Sequence, residues 1–68
     1  MTDKPVYLRE WRESRLMTQA ELATKAGVSR DTVVKIETGK QTARFATIRK
    51  LAAALGIEPR SLYQRPAD

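Results

Sequence analysis

Gly27, Gly39 and Gly56 are the only glycines of the chain, and each stands at the end of a run with helical spacing. A residue free to adopt the left-handed conformation stops a helix there, so the three positions cut the sequence into short helices. Upstream, Leu8, Trp11 and Arg12 stand at i, i+3 and i+4, which predicts a first helix from Val6 to about Arg15, following Pro5. Thr18-Gln19-Ala20-Glu21 has the form of a capping box, in which the Thr18 hydroxyl and the Glu21 carboxylate satisfy free backbone amides. Helix two then runs to about Ala26. Ser29 is placed to cap a third helix, with Asp31 in the first turn favouring the positive end of the dipole and Val33 and Ile36 as its apolar stripe. It is expected to end at Thr38-Gly39. Phe45, Ile48, Leu51, Ala52 and Leu55 recur at i, +3, +6, +7 and +10 before Gly56 and predict a fourth, the clearest of the set. Glu58-Pro59 opens a short fifth, Pro59 taking the first-turn position where a missing amide does no harm.

No strand-like alternation, repeat or low-complexity segment interrupts this pattern. The expectation is an all-α, compact five-helix domain over residues 1–68, with an ordered core at about 6–63. Met1 to Lys4 and Gln64 to Asp68 read as loose ends. A chain of 68 residues buries only about 60% of its unfolded surface, and small domains often recruit disulfides or metals for that reason. With no Cys and no His, neither is open to this one, and helix packing must suffice. The missing cysteines fit a reducing compartment. No run approaches the ~20 apolar residues of a membrane span, and Met1 to Tyr7 lacks the apolar stretch of a signal peptide, so a soluble cytoplasmic protein with no membrane partner is expected.

Thirteen Lys and Arg face eight Asp and Glu, and the excess is local. Between Ser29 and Lys50, six cations (Arg30, Lys35, Lys40, Arg44, Arg49, Lys50) face only Asp31 and Glu37. A concentrated basic segment suggests a polyanionic partner.

Ala26-Gly27-Val28 joins helices two and three by a turn so tight that they must cross steeply, which is helix-turn-helix geometry. Small Ala23 lets helix three approach, and Leu22, Val28, Val33 and Ile36 fill the space between the two helices. Those positions are core. Their placement leaves Arg30, Asp31 and Lys35 facing outward.

At this point the sequence resembles the Xre-like helix-turn-helix regulators, which include phage repressors and Cro proteins. Leu8-Arg9-Glu10, Thr18-Gln19-Ala20-Glu21-Leu22-Ala23, Gly27-Val28-Ser29-Arg30, Ile36-Glu37-Thr38-Gly39-Lys40 and Leu51-Ala52-Ala53-Ala54-Leu55-Gly56-Ile57 carry the resemblance. It implies a lambda-repressor-like domain that binds double-stranded operator DNA, usually as a two-fold homodimer. Two positions depart from the family pattern. Leu16 stands where members often have Gly, and because Leu resists positive φ, a different path is expected for the junction of helices one and two. Arg44 stands where many members have a Ser or similar cap.

The third helix presents its N-terminal side chains to the major groove, the one wide enough for a helix. The Arg30 fork fits guanine O6 and N7, with a phosphate contact or free solvation as alternatives. Lys35, about a turn on, is within reach of a base or a phosphate. Asp31 can accept from cytosine N4, cap the helix dipole or pair with Lys35. Ser29 and Thr32 are primarily capping residues whose hydroxyls can touch the DNA backbone. The resemblance further implies phosphate contacts for Gln19, Lys40 and Arg44, whose alternatives are a helper of the cap and solvated loop charges. Arg12 and Glu37 each sit beside an apolar stripe, where charges need partners. By resemblance they form a structural ion pair between helices one and three.

Enzyme chemistry finds no support: general acid–base catalysis favours His, covalent catalysis Cys or an activated Ser, and zinc sites want both His and Cys. No cofactor or small-molecule ligand is expected. The rival reading is a protein-interaction module or antitoxin-type accessory protein that kept the fold without DNA binding, and the basic midsection argues against it.

Overall fold

The computed structural model describes residues 6–67. The expectations for Met1 to Pro5 and for Asp68 lie outside the described residues. Helices α1 (Leu8–Ser14), α2 (Gln19–Ala26), α3 (Arg30–Glu37) and α4 (Phe45–Leu55) are followed by a 3-10 turn at Pro59–Tyr63. The fifth helix is therefore a short 3-10 turn: Pro59 supplies the start, and the backbone is already extended at Gln64. Helix α1 opens at Leu8 rather than Val6, with Tyr7 at the N-cap position in a non-helical conformation and no side-chain cap bond. No described helix is long and apolar enough to cross a membrane.

Each element contributes to one core: Leu8 from α1, Leu22 and Ala23 from α2, Val33 and Ile36 from α3, Ile48, Leu51, Ala52, Ala54 and Leu55 from α4, and Leu62 from the 3-10 turn. Full burial of an aliphatic side chain of this size is worth roughly 1.5–3 kcal/mol, so these contacts must replace the disulfide or metal of other small domains. Helix α2 packs against both α3 and α4, and the 3-10 turn against α4. Phe45 is a correction to the expected stripe. It is 76% exposed, because it opens α4 at the edge of the apolar sector, where no described residue covers it.

All four helices end in the same way. A residue with positive φ donates its N–H to the carbonyl three back, and the next residue donates to the carbonyl five back, which satisfies carbonyls the helix leaves free. Gly27 to Thr24 and Val28 to Ala23 close α2, and Gly39 with Lys40 and Gly56 with Ile57 do the same for α3 and α4. In α1 the positive-φ residue is Leu16, at φ 58, with Leu16 bonded to Glu13 and Met17 to Arg12. The expected detour at this junction is thus absent: the two hydrogen bonds hold Leu in a conformation that costs it about 1–2 kcal/mol. Its side chain is 91% exposed. The residue after each left-handed position differs more tellingly. Met17, Val28 and Ile57 pack against the core, whereas Lys40 is exposed.

Gln64 and Arg65, expected in the loose end, make contacts with the rest of the fold. The Trp11 indole Nε1 donates to Ser61 O at 3.0 Å and Gln64 O at 2.8 Å, and the Arg65 guanidinium lies over the Tyr7 ring. Trp11 is half-buried against the core with its polar edge spent on these carbonyls. The Tyr7 amide donates to Leu62 O at 2.8 Å. Arg15 stacks over Trp11 and donates from Nε to Leu55 O at 3.0 Å, a cation on the free carbonyls at the end of α4.

Candidate nucleic-acid interface

The geometry of the α2–α3 pair begins with two caps. Thr18 Oγ1 accepts from the Glu21 amide at 3.0 Å and Glu21 Oε1 accepts from the Thr18 amide at 2.7 Å, which completes the capping box of α2. These bonds, the amide first, hold the Glu21 carboxyl below the usual carboxylate range. Ser29 Oγ accepts from the Thr32 amide at 3.1 Å and shares a hydrogen bond with the Thr32 hydroxyl at 2.8 Å. Both hydroxyls thus help to fix the start of α3, and one of the two hydroxyl hydrogens stays free. Gly27, at φ 74, makes the turn between them in a conformation that any Cβ would strain.

An ion pair locks α3 to α1. Arg12 Nε and Nη2 meet Glu37 Oε2 and Oε1 at 2.7 and 3.2 Å, a two-pronged contact whose side chains are 11% and 3% exposed. The Glu37 hydrogen bond keeps the Arg12 guanidinium above even its ordinary value. Arg12 Nη1 also donates to Met17 O at 2.8 Å, and Gln19 Nε2 donates to Glu37 Oε1 at 3.1 Å. One carboxylate therefore ties α1, the α1–α2 junction, α2 and α3 into a single network. No local sequence signal reveals the Gln19–Glu37 contact, since eighteen residues separate the partners.

The remaining candidates divide into two groups. Asp31 and Lys35 pair at 3.0 Å on the exposed side of α3, one turn apart. Such a surface pair is worth at most about 1 kcal/mol, so a stronger anion can displace Asp31 from Lys35. Arg30, Lys40 and Arg44 are exposed, and none forms an ion pair with another described residue. Arg44 holds the N-cap position of α4 without a side-chain cap bond. A cation there faces the positive end of the helix dipole, where an anion is the favoured neighbour. Among the described residues no cluster of His, Cys, Asp and Glu has the makings of a metal site.

A helix-turn-helix family model matches residues 8–62, which spans α1 to the 3-10 turn. The chain is 49% identical over 51 residues to the HTH-type transcriptional regulator RghRB of Bacillus subtilis, covering 74% of this chain but only 37% of that protein. Among solved structures it is similar to the restriction-modification controller protein C.AhdI of Aeromonas hydrophila, with 41% identity and a TM-score of 0.80 over 82% of this chain and 85% of the other. SinR, a master regulator for biofilm formation, in complex with DNA superposes with a TM-score of 0.78 at 28% identity, over 84% of this chain and 92% of SinR. Fold, turn geometry and sequence match agree: the chain belongs to the Xre-like helix-turn-helix family.

Proposed function

We propose that this domain binds double-stranded DNA sequence-specifically as a transcriptional regulator, with α3 in the major groove. The observation that carries this is the set of exposed cations that form no ion pair with a described residue, Arg30, Lys40 and Arg44, at the two ends of α3 and the start of α4. Arg30 at the N-terminal end of α3 is the base reader, its fork matched to guanine O6 and N7. Lys40 and Arg44 hold phosphates. Lys40 takes a position that is apolar and packed in the three sister helix ends, and a residue that breaks a local pattern is where function is expected. Arg44 brings with it the uncapped amides at the start of α4. Gln19 spends one amide hydrogen on Glu37 and keeps the other for a phosphate. Ser29 and Thr32 touch the DNA backbone from the cap, and Lys35 moves from Asp31 to a base or phosphate.

One α3 covers only a few base pairs, so two copies are proposed to act as a repressor-type homodimer on a two-fold operator, with half-sites ~34 Å apart. Half-buried Tyr63 is the candidate contact between them, beside Leu62, which closes the core. Selection of bound duplexes from a random pool, followed by titration across a salt series, tests the reading. A recovered two-fold consensus with steeply salt-dependent affinity is expected. No enrichment and no salt dependence would return the domain to the class of protein-interaction modules.

A further inference from the structure

We propose that the outer face of α4 is a docking surface for an acidic helix of a partner protein. Phe45, Arg49, Ala53, Ala46 and Lys50 are all exposed. At about 100° per residue they fall in that order across one sector of roughly 140°, turned away from buried Ile48, Leu51 and Leu55. Ala46 and Ala53 lie in the middle of the sector, two turns or ~10.5 Å apart, and form a shallow track on which another helix can approach to the short end of the ~8–10 Å packing range. Arg49 borders the track on the side of Phe45, and Lys50 borders it on the other.

Charge selects the occupant. From Thr38 to Ile57 the chain contains no Asp or Glu, and neither Arg49 nor Lys50 forms an ion pair with a described residue. A helix with carboxylates flanking a strip of small and apolar residues matches all five positions: its acids meet Arg49 and Lys50, its small residues ride the alanine track and an apolar side chain covers Phe45. A phosphate backbone would engage the two cations and leave the phenyl ring and the alanines without contact. The face is small, so the complex belongs to the weak, transient class.

The test uses the ¹⁵N-labelled full chain, titrated with a synthetic helical peptide that presents leucine and alanine on one face and glutamates along its borders. Amide shifts are expected at Phe45, Ala46, Arg49, Lys50 and Ala53, and the same peptide with lysines for glutamates should give none. The double substitution Arg49→Ala, Lys50→Ala should weaken peptide binding about tenfold. Ala53→Glu, on an exposed position, should abolish binding while leaving the melting temperature unchanged. Shifts gathered at Arg30 and Lys40 instead would overturn the proposal, as would peptide affinity unaffected by either variant. Two further results count against it: a loss of duplex DNA affinity in the double variant as large as that of Lys40→Ala, which assigns the face to DNA, and peptide-independent, concentration-dependent shifts on α4, which assign it to a second copy.

Discussion

The cations of α1, its C-cap and the C-terminal segment contrast with those between Ser29 and Lys50. In the first group every described Arg has an internal partner: Arg9 with Glu13, Arg12 with Glu37, Arg15 with Leu55 O and the Trp11 ring, Arg60 with Glu58, and Arg65 over Tyr7. In the second, only Lys35 has one among the described residues, and that pair is exposed. The same residue types thus occupy two settings in 68 residues. Arg12 and Arg15 bind across a helix crossing and onto a helix end, Arg9 and Arg60 pair locally at the surface, and the unpaired cations keep their hydration and long-range field. Net charge alone does not reveal this division.

The largest effect should come from breaking the first group. Glu37→Ala strands Arg12 among apolar neighbours, removes the acceptor of Gln19 and should cost about 3–5 kcal/mol of stability, enough to unfold much of a domain this small. Urea titration followed by Trp11 fluorescence measures it, and a midpoint matching the parent would place the pair outside the forces that hold the fold. Arg30→Ala should do the reverse. Stability should stay within about 0.5 kcal/mol, since the residue is exposed, while affinity for the best operator falls by about 1–3 kcal/mol and preference at one base pair per half-site relaxes. Uniform loss on all duplexes would demote Arg30 to a phosphate contact. Lys40→Ala should weaken all duplexes alike. In a dimer losing two phosphate contacts, the slope of log affinity against log salt should become shallower by about 1.8.

A smaller effect separates conformation from charge. Leu16→Gly relieves a left-handed Leu whose side chain touches little, and should stabilise by about 1 kcal/mol, raising Tm by roughly 4–8 °C. An unchanged or lowered Tm would mean that the exposed leucine makes a contact worth its strain. The last is a pH dependence. Because Glu21 titrates below its unfolded value, its contribution is complete above the ordinary carboxylate range and is lost as pH falls through the lowered folded value. The Tm difference between parent and Glu21→Gln should therefore narrow from neutral pH into acid, and parallel curves would show that the charge of the capping box is without consequence.

Much of the fold was readable because its signals are local. Gly27, Gly39 and Gly56 mark helix ends, and Thr18 with Glu21 and Ser29 mark helix starts, each through bonds spanning three to five residues. What escaped is non-local or a matter of balance. Leu16 takes the glycine conformation because two hydrogen bonds and the packing of Met17 outweigh a local penalty, a competition no single residue displays. Phe45 fits the apolar spacing of α4 but opens the helix beyond its neighbours' reach, and spacing carries no information on where neighbours stop. Gln64 is held by an indole 53 residues away. At the candidate site the residue types were legible, whereas the sharing of Glu37 between Arg12 and Gln19 required coordinates.

The Tyr7 amide and the Leu62 carbonyl, 2.8 Å apart, join the first described turn of the chain to the last, with Trp11 and Arg65 alongside. Mechanically, this seam is where tension arrives. A pull on the two ends loads these few bonds and the buried Leu62 beside them before it reaches the α2–α3 pair. Under force in an optical trap the 3-10 turn should peel away first at low load, while the crossing of α2 and α3, shielded behind the Arg12–Glu37 fork, gives way later and more abruptly.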